Sequence, residues 1–150
     1  MNKTFVISVV VLFVVSMLLG FVVHGALLAG DYMKLQGSVF RSPQDSEQHF
    51  LAMLTAHVFT AIGFTWIYRQ GRDSAKPFLG QGVRFGLAVA VLTTIPTYLI
   101  YYAVTPMPSD VVAKQIVFDV VATVIMGIVA AAVNRDYGDV RLRERPHLPA

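Results

Sequence analysis

The sequence predicts an all-α integral membrane protein: four transmembrane helices in an up-down antiparallel bundle, both termini cytoplasmic. Three observations carry that prediction. Hydrophobic residues make up 55% of the chain and charged residues only 14%, against about 25% charged in soluble domains. Four apolar runs each approach the roughly 20 residues that a spanning helix needs. The basic residues gather on one side of those runs. Period-two alternation is missing, so a membrane barrel is excluded. Helix then remains as the structure that pairs every backbone group in lipid.

The first run extends from Phe5 to Ala29. Lys3 followed by Phe5–Leu19 imitates a signal peptide, but the run continues well past the roughly 7–15 residues of such a segment. It reads as an uncleaved first span. The connection Asp31–His49 is the longest outer segment. Within it, Ser42-Pro43-Gln44-Asp45 has a capping serine, a proline at the first helical position and an acid in the first turn. The second helix should therefore start before the membrane and project outward. Its apolar run is Phe50–Tyr68. The third run is Val83–Val104, and the turn Thr105–Asp110 offers Ser109 as a cap for the fourth, Val111–Val133. Short links make neighbouring helices antiparallel. The remainder, Asn134–Ala150, is a polar cytoplasmic tail on a single 150-residue domain.

Lysine and arginine set the orientation. Lys3, Arg69, Arg72, Lys76, Arg84, Arg135, Arg141, Arg143 and Arg145 fall on one side, and Lys34, Arg41 and Lys114 on the other. The richer side should be cytoplasmic, in a bacterial inner membrane. Trp66 with Tyr68, and Tyr101 with Tyr102, sit where interfacial aromatic belts belong. The net charge of +3 is thus topological, and nucleic acid is not an expected partner. Cysteine is absent, which excludes thiolate catalysis and cysteine-ligated metals. No phosphate loop, nucleophile elbow or dinucleotide fingerprint is present, and no cofactor is expected.

Asp119 is the most informative residue, because a carboxyl group inside a span is expensive and faces a partner or a cavity. At a rise of about 1.5 Å per residue it lies roughly 4–5 Å outward of its span's midpoint, and His57 roughly 3 Å. Thr94, Thr97 and Tyr98 fall within roughly 2–8 Å on the third span. A buried polar cluster of these five is expected, either as a protonatable site or as hydrogen-bonded glue. Pro96 in the same region frees the Leu92 carbonyl and should kink the third helix. Gly82, Gly86 and Ala90 recur at four-residue spacing on that helix, as do Thr123 and Gly127 on the fourth. Small residues so spaced let helices approach closely, within the chain or in self-association. His24 and His49 near the outer surface, with Asp31 and Glu47, form the one conceivable zinc site. The required ligand spacing is absent, so no metal is expected.

The stretches Gly20–Ser38 (GFVVHGALLAGDYMKLQGS), Arg84–Leu92 (RFGLAVAVL) and Phe118–Gly127 (FDVVATVIMG) resemble a group of small four-helix bacterial membrane proteins classed as a domain of unknown function. That resemblance implies an inner-membrane bundle without assigned catalytic residues. Two functions are compatible with these residues. One is a non-enzymatic accessory or scaffold subunit, packed against a larger membrane complex or a second copy. The other is a small proton-linked transporter or lipophile-binding bundle centred on Asp119 and His57.

Overall fold

The computed structural model describes residues 3–135. Four helices are long and apolar enough to cross a membrane. They are α1 (Lys3–Leu27), α4 (Phe50–Gly71), α5 (Phe78–Val104) and α6 (Ser109–Val133). Two short helices, α2 (Ala29–Lys34) and α3 (Pro43–Gln48), lie between α1 and α4. No named strand occurs among the described residues. Arg141, Arg143, Arg145 and the rest of the tail beyond Arg135 lie outside them.

The helix ends refine the sequence reading. Ser42 does cap α3, its Oγ accepting from the Asp45 N–H at 3.3 Å, with Pro43 in the first turn. However, α3 is not the projecting start of α4. The chain breaks at His49, whose Nδ1 bonds the Asp45 carbonyl at 2.7 Å. Ser109 is not a cap: Pro108 holds that position, and Ser109 is already helical with no capping bond. The third helix begins at Phe78 rather than Val83, directly after Pro77. Gln81 explains the early start. Its Nε2 donates to the Asp73 and Lys76 carbonyls at 2.8 and 2.9 Å, and its Oε1 accepts from the Asp73 N–H at 2.8 Å. One polar side chain thereby satisfies the backbone of the preceding loop.

α6 is the hub, packing on α1 and α5 and touching α4, while α1 also packs on α4. The half near the Arg72–Pro77 loop, called lower here, holds the main core of Leu12, Ala61, Phe64, Tyr68, Met126, Ala130 and Ala131. There Phe64 and Tyr68 of α4 each meet Phe85 of α5 edge-on at 5.3 Å. Buried Asn134 fastens α1 to the end of α6, its Nδ2 donating to Ser8 Oγ at 2.7 Å and to the Ala130 carbonyl at 2.8 Å.

α5 and α6 meet backbone to backbone. A Cβ on Gly86 would lie 2.6 Å from Val124 Cα, and one on Gly82 would lie 2.7 Å from Ile128 Cα. One on Gly127 would lie 2.7 Å from the Gly86 nitrogen. Only glycine allows that approach. Ala90 is buried on the same helix. The small-residue stripes of the two helices therefore face each other.

In the upper half the segment after α1 folds back as an arm over the start of α6. Tyr32, Leu35, Val39 and Phe40 pack on Met107, Val111 and Val112. Gly37, at φ +78°, makes the turn that returns the arm. Asp31 clamps it to α6 through Lys114 at 2.7 Å. The Lys114 hydrogen bond holds the Asp31 carboxyl below its ordinary value. Because that value is depressed on folding, the clamp contributes above the ordinary aspartate pKa of about 3.9 and is lost as pH falls through the lower folded value. Amide-exchange protection across residues 29–42 should accordingly fall below about pH 4, while protection in the lower core stays unchanged. Equal loss of protection in both regions would contradict the clamp.

Candidate functional site

Above the Phe64–Phe85 contact, α4 and α5 diverge and leave a cavity of about 950 Å³. α1, α4, α5 and α6 all contribute to its wall. Most of the lining is apolar, including Phe21, Phe50, Met53, Val89 and Met126, with a polar group set converging on Asp119.

Asp119 Oδ2 accepts the phenolic hydrogen of Tyr98 from α5. The same oxygen lies 3.4 Å from Nε2 of His24 on α1. Among the described residues neither contact reaches Oδ1. The side chain retains 18% exposure, so the carboxylate is held by protein without being sealed by it.

His24 is positioned in turn by the arm. Its Nδ1 lies 2.8 Å from the Tyr32 hydroxyl, and the two rings stack at 5.9 Å. Gln115 Nε2 donates to the same hydroxyl at 2.9 Å. The Tyr32 oxygen thus accepts the Gln115 N–H while it shares a hydrogen with His24 Nδ1, and Nε2 of His24 faces Asp119. Burial raises the Tyr32 pKa further above its ordinary value, so the phenol stays protonated near neutral pH.

His57 reaches the cavity from α4, but its partner is Ser16 on α1, at 3.1 Å from Nδ1. The Ser16 hydroxyl already donates to the Phe13 carbonyl at 2.9 Å. Nδ1 must therefore carry the hydrogen, which leaves the Nε2 lone pair free. Within the cavity it is His24, not His57, that meets the Asp119 carboxylate. Sequence depth placed His24 near the surface, and nothing in its neighbourhood signalled the π-helical segment Phe21–Leu27 that carries it. Ser16, Tyr32 and Gln115 were equally hidden, since their partners are remote in sequence.

The other predicted residues also gather near this centre. Thr94 and Thr123 are 3.3 Å apart; Thr123 donates to the Asp119 carbonyl at 2.6 Å, so Thr94 donates to Thr123. Thr97 lines the cavity. A second π segment, Ala90–Thr94, directly precedes Pro96 and takes up the disturbance expected from that proline. Single π turns inside α-helices are frequent at functional sites, and here both border the cavity. His49 is engaged separately, with Asp45. Among the described residues no group of three or more histidine and acidic side chains could hold a metal ion.

Comparison with curated proteins and with solved structures returns no match. A family match, by contrast, covers residues 7–131, from within α1 to near the end of α6. It encloses the cavity and every residue described around Asp119. On that coverage the chain belongs to the family described as Protein of unknown function (DUF1761).

Proposed function

We propose that the protein is a multi-pass membrane bundle that binds an amphipathic small molecule in the cavity between α4 and α5. Its polar end would meet Asp119 and its apolar body the aromatic and aliphatic wall. One observation carries this reading: a carboxylate within a membrane-spanning helix, oriented by Tyr98 and His24, borders an open cavity. The volume of about 950 Å³ falls within the range of small-molecule sites, which are mostly apolar with few convergent polar groups. A carboxyl group serving only as glue between helices would not need such a space.

The accessory-subunit reading has less support. It rests on close-packing faces, and Gly82, Gly86 and Gly127 meet each other inside the chain. In our reading the bundle runs up and down, with the basic ends cytoplasmic in a bacterial inner membrane. The cavity and the α2–α3 arm then belong to the outer leaflet side.

Native mass spectrometry of protein purified in gentle detergent tests the proposal. A retained small molecule is expected at one per chain, and Ala122→Trp, which fills the cavity wall, should abolish retention. Stoichiometric larger subunits with no retained molecule would favour the accessory role and sink the binding reading.

A further inference from the structure

We infer that the cavity selects a lipophilic primary amine: an ammonium head hydrogen-bonded to Asp119, on an apolar tail. This rests on the binding reading above and names its ligand class. Asp119 is the one formally charged side chain among the residues lining the cavity; no lysine, arginine or glutamate joins it. Of the two lining histidines, His24 turns Nε2 to the Oδ2 side of Asp119, and His57 pairs with Ser16.

The groups left for a ligand are therefore acceptors. Asp119 Oδ1 has no protein donor among the described residues, since Tyr98 and His24 both address Oδ2. His57 Nε2 offers a second lone pair among the lining residues. A carboxylate oxygen open to a cavity in low dielectric is best met by a cation that also donates hydrogen bonds. A fatty acid or phosphate head would bring like charge to Asp119. An alcohol could donate one hydrogen bond but would leave the charge unbalanced.

Decylamine, decanol, decanoate and decyltrimethylammonium share one tail and differ in the head. Each would be titrated calorimetrically into protein in zwitterionic nanodiscs at about pH 8, where the amine is charged and an ordinary histidine neutral, with empty discs subtracted. Decylamine should bind at least about tenfold more tightly than decanol, because only the ammonium adds a charge–charge attraction to the hydrogen bond that both heads can donate. Decanoate should be weakest, and decyltrimethylammonium, which has no N–H, weaker than decylamine. In Asp119→Asn the preference for amine over alcohol should vanish.

Equal binding of decylamine and decanol to wild type, or a preference that survives Asp119→Asn, would overturn the amine assignment while leaving the cavity a binding site. If no probe binds saturably, and Ala122→Trp changes nothing, the binding reading itself fails. The wild-type comparison stands without the variant, so a poorly folding Asp119→Asn does not rescue the proposal.

Discussion

Gly86→Leu is expected to pry α5 from α6 and lower the melting temperature more than any substitution on the exposed helix surface. The obstacles to its Cβ are backbone atoms, Val124 Cα at 2.6 Å and the Thr123 carbonyl oxygen at 2.7 Å. Overpacking costs about 1–3 kcal/mol when side chains can yield; backbone cannot step aside, so the top of that range or beyond is expected. The damage should reach the cavity, because Thr94–Thr123 and Tyr98–Asp119 both bridge the same two helices. Gly63→Leu supplies the control. A Cβ there meets nothing within 4 Å, and leucine's better helix propensity should make the change neutral or slightly stabilising. Thermal unfolding in detergent compares the two. Matching melting temperatures would mean that α5 and α6 do not touch through these glycines.

Tyr32→Phe should be more disruptive than the loss of one hydroxyl suggests, and a second substitution should reverse most of the effect. Gln115 is 3% exposed, and its Oε1 already lacks a partner. Removing the Tyr32 oxygen strands Nε2 as well, which costs about 1–3 kcal/mol for a buried unsatisfied group. Adding Gln115→Leu replaces the stranded amide with an apolar side chain of similar size. The double variant should therefore be more stable than Tyr32→Phe alone, because deleting both partners of a buried bond is often nearly neutral. Function should part from stability here. His24 loses its Tyr32 partner in both variants, so ligand affinity should stay reduced in the stable double variant. Additive, independent stability losses would show that Gln115 and Tyr32 are not coupled.

Much of this architecture is legible in residue order, because hydropathy reports depth and little else is needed to find four spans. The Ser42-Pro43-Asp45 start of α3 was equally readable, since a cap is made by neighbours. The glycine spacing of α5 and α6 pointed to close approach, and equal depth pointed to Tyr98 and Thr94 lying beside Asp119. Azimuth was the missing coordinate. Depth alone could not decide which histidine turns toward Asp119, and the π segment in α1 alters the angular phase on which a helical-wheel argument depends. The arm from Ala29 to Phe40 lacks a long apolar run, so its return onto Val111 and Val112 had no periodic signal. Gln81 lies outside the apolar run that starts at Val83, and the fold uses it to close a loop.

The π segment Phe21–Leu27 also makes chain length a variable at this site. A wider turn holds more residues for the same rise, so α1 contains slack that an unbroken α-helix would not. Deleting one residue of that segment would let the helix close in ordinary α geometry with the downstream chain near its present phase, whereas the same deletion in an unbroken α turn would swing that chain by about 100° around the axis. The arm bearing Tyr32 would then keep its place on α6, and His24, inside the segment, would be re-aimed. A chain one residue shorter here should therefore keep the arm and change the histidine.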